Sequence, residues 1–218
     1  METIISIKPL LAVLVSLLFV PILVLSGKRP NVREACTFLA AGLKFLIVLS
    51  MVPAILNGTH IVYTIAEVIP GVAIKLRVDA FGMLFALVSS SLWIVTSAYS
   101  IGYMRGLKEH SQTRYFCFFA LALSATIGVA FSANLLTLYL FYEMLSFATY
   151  PLVTHHQDHE ARSSGRKYLL YIVGTSIGFV LPAMLISYSL AGTLDFASQG
   201  FLAGTGSCLL YTSPSPRD

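Results

Sequence analysis

The chain has 218 residues, of which 56% are hydrophobic and only 11% are charged, and its mean hydropathy is +0.80. This composition excludes an ordinary soluble domain and indicates a polytopic membrane protein. The formal net charge of +4 comes from short Lys and Arg clusters between apolar runs, which report membrane topology and give no argument for a nucleic-acid partner.

Six apolar runs are predicted to be transmembrane helices, because each has about the length that crosses a bilayer. In chain order they cover approximately residues 9–26, 35–56, 79–103, 115–131, 134–151 and 168–190. The first is predicted to be a retained helix and not a cleaved signal peptide, because only Lys8 precedes it and the other nearby cations follow it. A turn of only three residues, 132–134, leads from the fourth run into the fifth, so these two helices are expected to form an antiparallel hairpin.

A different pattern fills the connection between the second and third runs. Apolar Ile74, Leu76 and Val78 alternate with polar residues. Such a period of two is typical of a β-strand, and Pro70-Gly71 is a turn signal just before it. We therefore expect a small external β-hairpin at this point.

The distribution of Lys and Arg predicts the orientation in the membrane. The opposite side holds only Lys8, Lys75 and Arg77, whereas the loops after runs one, three and five hold nine cations: Lys28, Arg29, Arg33, Arg105, Lys108, Arg114, Arg162, Arg166 and Lys167. Because positive residues favour the cytoplasmic side, the N-terminus is predicted to be external and the odd-numbered loops cytoplasmic.

Glu143 is the most informative residue, because it lies near the middle of the fifth run. That run would span roughly 27 Å as a helix, so the carboxyl would lie near the bilayer midplane. An ionised carboxylate there costs about 2.5 to 3.5 kcal/mol, so it is usually neutralised, paired or hydrated. A function in proton transfer is the favoured interpretation. The alternative is a protonated Glu that hydrogen-bonds to neighbouring helices only for packing.

Three other residues are candidates for the same pathway. Lys44 lies about nine residues inside the second run, and it is either a cationic partner or cavity-lining residue, or a lysine that snorkels or bonds to helix carbonyls. Tyr139 and Ser146 lie four residues before and three after Glu143, on the same helical face. They would line the pathway or serve packing. The sequence does not show whether the second and fifth helices touch.

No metal or cofactor is predicted. His155 and His159 would meet on one helical turn, but the segment lacks a third and fourth ligand in an enclosed setting. A solvated cytoplasmic loop is the favoured interpretation, and a role in passing protons to the channel entrance stays open. Asp79 and Asp195 lie at span edges, where caps or interface groups are expected. The chain has no paired cysteine motif, Gly-rich phosphate loop, nucleophile elbow, or flavin or nicotinamide fingerprint.

Three stretches resemble one family. They are residues 76–82 (LRVDAFG), residues 99–104 (YSIGYM) together with 114–116 (RYF), and residues 134–146 (NLLTLYLFYEMLS). They resemble the antiporter-like subunits of Mrp-type monovalent cation/proton antiporters, respiratory complex I and membrane-bound hydrogenases, and most nearly the D-type subunit of Mrp antiporters. The resemblance implies that Glu143 is the family's intramembrane proton-pathway glutamate.

The resemblance also implies a domain organisation and a fold. The expected fold is an all-α polytopic membrane protein of about six transmembrane helices with a small external β-hairpin, truncated from a larger inverted-repeat antiporter fold. Residues 1–113 would form helices one to three, and residues 114–207 would begin the proton-translocating repeat. The helix that supplies the partner lysine would be missing. Residues 208–218 (CLLYTSPSPRD) look like translated sequencing adapter and are excluded from fold reasoning.

The sequence is compatible with three functions. The first is monovalent cation/proton antiport, for example with sodium, by a subunit of a multisubunit complex. The second is the proton-pumping membrane arm of an NADH-quinone oxidoreductase or hydrogenase, whose redox chemistry belongs to other subunits. The third is a membrane scaffold without transport, against which the buried Glu143 argues. The expected location is the cell membrane, most simply a bacterial inner membrane, and the expected partners are other membrane subunits.

Overall fold

The computed structural model describes residues 3–69, 71–197 and 200, and shows a helical protein with one small β-sheet. The described strands are β1 (Thr3–Ile5), β2 (His60–Ile69) and β3 (Val72–Val78). The described helices are α1 (Lys8–Leu25), α2 (Pro30–Leu49), α3 (Val52–Leu56), α4 (Ala80–Gly106), α5 (Gln112–Ala130), α6 (Leu135–Val153), α7 (His159–Thr175) and α8 (Leu181–Ala191). The predicted adapter-derived tail at 208–218 lies outside the described residues.

Within the described ranges, five helical stretches are long and apolar enough to cross a membrane: Lys8–Leu25, Pro30–Leu56, Ala80–Gly106, Gln112–Ala130 and His159–Ala191. They correspond to the first four predicted runs and the sixth. The predicted fifth run is the 19-residue helix α6, which is not among these five. Its length is sufficient, but Glu143 and three tyrosines make it less apolar than the others.

Two helices begin earlier than predicted. The second begins at Pro30, because proline is well suited to the first helical turn. The last begins at His159, since the Asp158 side chain accepts a hydrogen bond from the Ala161 amide at 2.6 Å and caps the helix. The connection predicted between the fifth and sixth runs is therefore not a loop over residues 159–167, which are helical. His159 and Glu160 are exposed, as expected for a solvated segment.

Asp79 and Asn134 cap α4 and α6 in the same way. The Asp79 carboxylate accepts from the Gly82 amide at 2.7 Å, and the Asn134 side chain accepts from the Thr137 amide at 2.8 Å. The predicted capping role of Asp79 is confirmed. Asp195 lies beside the sheet instead, with its carboxylate 3.3 Å from the Lys75 ammonium.

The predicted hairpin is present. Strand β2 pairs antiparallel with β3, and Gly71 has a φ of +83°, which favours glycine in the turn. Pro70 lies outside the described residues. Strand β1 adds a parallel pairing with β2, from Thr3 opposite His60 to Ile5 opposite Val62. This pairing was not predicted, because three residues are too few to show a strand period.

The hairpin is attached to the short turn between α5 and α6. The Arg77 amide donates to the Phe131 carbonyl at 2.6 Å, and the Ala133 amide donates to the Lys75 carbonyl at 3.0 Å. The Lys75 amide donates to the Thr137 hydroxyl at 2.9 Å. The predicted antiparallel hairpin of α5 and α6 is confirmed, and the sheet fixes the end at which the two helices meet.

The last helical stretch changes its hydrogen-bond pattern in the middle. Helices α7 and α8 are joined by the π-helical segment Ser176–Val180, so the whole runs without a break from His159 to Ala191. Pro182 follows the segment and has no amide hydrogen to continue the α-helical ladder. Short π-helical segments often occur at functional sites, so the residues of this segment are candidates for contact with Glu143.

Candidate functional site

Glu143 faces the π-helical segment. Its Oε1 accepts a hydrogen bond from the hydroxyl of Ser176, the first residue of that segment. Glu143 is half-buried, whereas Ser176 is 1% exposed. A serine hydroxyl both donates and accepts hydrogen bonds, so it can stabilise the ionised carboxylate and bond to the protonated acid. The contact therefore places a titratable group and a buried hydroxyl together between α6 and the last helix.

Sequence reasoning missed Ser176. The sequence offers a weak signal, since the Gly174-Thr175-Ser176 run of small and hydroxyl residues comes shortly before Pro182 within an apolar span. Small residues and a proline in a membrane helix often accompany a change in the pattern of its backbone hydrogen bonds. Which helix faces Glu143 depends on tertiary packing, which the local pattern does not encode.

The two predicted pathway residues on α6 have other contacts. The Ser146 hydroxyl donates to the Tyr142 carbonyl of its own helix at 3.0 Å. Tyr139 packs against an apolar cluster of Val72, Met184 and Leu194. Neither contact involves the Glu143 carboxyl. A role for Tyr139 and Ser146 in lining the pathway stays a prediction.

Lys44 is fully buried, on a different set of helices. Its Nζ donates to the Leu123 carbonyl of α5 at 3.1 Å and lies 5.1 Å from the centre of the Trp93 ring of α4. The lysine therefore bonds to a helix carbonyl, one of the contacts that the sequence left open, and does not reach water by snorkelling. Among the described residues no ion pair joins Lys44 to Glu143.

A charged cluster that the sequence did not indicate joins α2, α4 and α5. Arg105 binds the Glu34 carboxylate through two nitrogens, at 2.8 and 2.6 Å. Arg33 donates to the Gln112 side chain at 2.7 Å and to the Thr113 hydroxyl at 3.1 Å. Glu34 and Arg33 are both buried, so the cluster fixes how these three helices meet at one end.

His155 and His159 do not form the pair that helical spacing would give. His155 lies in the turn before α7, whereas His159 is the first residue of the helix and is exposed. His155 instead contacts the α4–α5 turn, and Arg114 donates to its carbonyl at 2.6 Å. Burial lowers the pKa of His155, and the nearby charges of Arg114 and His110 lower it further. Its neutral form is therefore favoured near neutral pH.

Comparisons with known proteins relate part of the chain to a known family. A family model described as "NADH:quinone oxidoreductase/Mrp antiporter, TM" matches residues 132–207, which include Glu143 and Ser176. This segment of the chain is therefore similar to the antiporter-type membrane subunits of Mrp antiporters and NADH:quinone oxidoreductase. A relative named Na(+)/H(+) antiporter subunit A1, from Staphylococcus aureus, is 29% identical over 163 residues. That alignment covers 71% of this chain and 20% of the relative, so the chain spans about a fifth of the curated relatives it matches.

Two solved structures share the fold of this chain. The membrane-bound sulfane sulfur reductase, an archaeal respiratory membrane complex, aligns with a TM-score of 0.71 at 22% identity, over 87% of this chain and 39% of the other. The Mrp complex from a Dietzia species aligns with a TM-score of 0.69 at 20% identity, over 87% and 36%. The predicted polytopic helical fold is confirmed. The nearer likeness to the D-type subunit stays a prediction, since the relative described above is a subunit named A1.

Proposed function

We propose that this chain belongs to an ion-translocating membrane subunit that exchanges protons for sodium or another monovalent cation, with Glu143 as a proton-pathway residue. The contact between Glu143 and the buried Ser176 hydroxyl supports this most strongly. A carboxyl within a membrane helix is costly unless it is hydrogen-bonded, paired or hydrated, so its retention favours a functional role. The antiporter name of the curated relatives favours sodium/proton exchange as the reaction.

The proposed partners are the other membrane subunits of the same assembly. The sulfane sulfur reductase and the Mrp structure are both described as complexes, and an antiporter-like subunit of this kind would pack against others in the bilayer. The proposed location is a bacterial inner membrane.

A second candidate is the proton-pumping arm of a respiratory complex. The family description names NADH:quinone oxidoreductase beside the Mrp antiporter, and it covers the segment that carries Glu143. In that case the redox chemistry would belong to other subunits, and proton movement would need an electron donor.

Exchange in vesicles separates the two functions. In inside-out vesicles that contain the assembled subunit and hold an imposed pH gradient, adding sodium should collapse the gradient without any electron donor. Potassium and lithium chloride, added at equal ionic strength, identify the cation. A gradient that responds only to an electron donor would contradict antiport and support the respiratory candidate.

The proposed orientation places the N-terminus outside the cell, because Lys and Arg are distributed nine to three between the two sides of the membrane. We expect a cysteine in place of exposed Glu67 on β2 to react with an impermeant maleimide from outside intact cells. A cysteine in place of exposed Glu160 on α7 should react only after the membrane is opened. Both variants are made in a background without the native cysteines. The reverse labelling of the two positions would show that the predicted orientation is wrong.

A further inference from the structure

Two turns on the same end of the molecule bring three histidines and a glutamate together. Glu109 and His110 lie in the turn between α4 and α5, and His155 and His156 lie in the turn between α6 and α7. The ring centres are 5.1 Å apart for His110 and His155, 6.1 Å for His110 and His156, and 5.9 Å for His155 and His156. The side chains come from positions more than 40 residues apart, so only the fold assembles the cluster.

The Glu109 carboxylate lies among these rings. Its Oε2 is 3.6 Å from His110 Nδ1 and 3.9 Å from His155 Nε2. One ligand atom each from Glu109, His110 and His156 lie within 4.8 Å of one another. Imidazole nitrogen and carboxylate oxygen are the donor types that bind zinc in proteins.

The hydrogen bond of His110 determines which of its ring nitrogens can bind a metal ion. His110 Nε2 lies 3.1 Å from the His155 carbonyl oxygen, which only accepts, so Nε2 carries the hydrogen. In the neutral ring, Nδ1 is then a lone-pair nitrogen that faces the Glu109 carboxylate. Both atoms then have lone pairs that can bind the same metal ion. A backbone carbonyl that orients a histidine through its other nitrogen is also the usual outer contact of a metal ligand.

His155 provides a second, independent observation. Its side chain is 13% exposed, and neither ring nitrogen makes a hydrogen bond with the part of the chain that the structure describes. Buried polar atoms without a partner are uncommon and call for an explanation such as an ion or water. Nε2 of this ring faces Glu109, so it is available as a further ligand.

We propose that Glu109, His110 and His156 bind a divalent transition-metal ion such as Zn²⁺, with His155 as the fourth ligand. Zinc bonds of 2.0–2.2 Å place neighbouring ligand atoms about 3.3 Å apart. The ligand atoms of Glu109, His110 and His156 lie within 4.8 Å of one another, which is wider than this. The His110 and His156 side chains are exposed, so rotation of their rings would bring these atoms to bonding distance from one ion. Imidazole ligands favour Zn²⁺ over Mg²⁺ or Ca²⁺, which prefer oxygen. The bound ion would fasten the α4–α5 turn to the turn that precedes the helix carrying Ser176. This site does not depend on the proposed transport function.

Binding is tested on the full chain, purified in detergent with its affinity tag removed and metal stripped by a chelator. Zn²⁺ is titrated by calorimetry with Mg²⁺ in excess. We expect one ion per chain, and we expect His110→Ala and His156→Ala each to weaken binding at least about tenfold, the lower end of what even outer contacts contribute. The matched control is His159→Ala, which removes an exposed histidine three residues from His156 and should leave the affinity unchanged within about twofold.

A second measurement does not depend on the variants. The exposed Lys108 lies next to Glu109, so Zn²⁺ should slow tryptic cleavage after Lys108 in the unmodified chain. Three results would overturn the proposal: no saturable binding of one ion per chain, equal binding by the His110 and His156 variants, or loss of binding in the His159 variant. The last would place the ion on the His155 and His159 pair. Unchanged cleavage after Lys108 at saturating Zn²⁺ would also count against it.

Discussion

Replacing Glu143 with Gln should leave the subunit assembled in its complex but lower cation/proton exchange by about 100-fold or more, the scale for losing a positioned acid–base group. Gln has nearly the same volume and still accepts the Ser176 hydrogen bond through its carbonyl oxygen. The substitution therefore removes titration and keeps the packing. Glu143→Asp keeps an acid that is one methylene shorter and should retain part of the activity.

The measurement is the rate at which sodium collapses an imposed pH gradient in vesicles, normalised to the amount of assembled subunit. The matched control is Glu67→Gln, which makes the same change at an exposed position on β2 and should leave the rate unchanged. If the Glu143→Gln variant assembles normally and exchanges at the parental rate, Glu143 is a packing residue and the proposed pathway role is wrong.

Most of the fold could be predicted from the sequence, because membrane helices depend on local properties. A period or a length that is visible in the sequence predicted each of three features: the apolar runs, the alternation at Ile74 to Val78 and the short connection before α6. The early start of the last helix at His159 was missed, because polar residues 159–167 lack an apolar pattern, although Asp158 provides a cap.

Only one of the two residues in contact at the candidate site could be predicted from the sequence, because the other is brought there by packing between distant segments. The cost of a carboxylate within a membrane helix identifies Glu143 from one run of sequence. Ser176 is 33 residues away, and its contact with Glu143 depends on how α6 lies against the π-helical segment. The same reasoning explains Lys44, whose depth was visible but whose contacts with Leu123 and Trp93 were not.

Replacing Lys44 with Met should lower exchange at least about tenfold while leaving the unfolding temperature unchanged or higher. A fully buried ammonium with one carbonyl and one aromatic ring as partners carries a desolvation cost of several kcal/mol that an apolar side chain of similar length does not have. A residue that is costly to bury in a membrane is expected to be kept for function, here as a positive charge on the helices that adjoin the pathway.

Thermal unfolding in detergent and exchange in vesicles are measured on the same preparation. The control is Lys75→Met, which removes a partly exposed lysine whose ammonium pairs with Asp195 at 3.3 Å. Surface ion pairs contribute about 0–1 kcal/mol, so this variant should change neither quantity strongly. The two roles of Lys44 predict opposite results. If the Met variant exchanges at the parental rate but unfolds at a clearly lower temperature, the lysine joins α2 to α5 and α4 as a structural residue. Loss of exchange with unchanged stability would make its charge a part of the transport path.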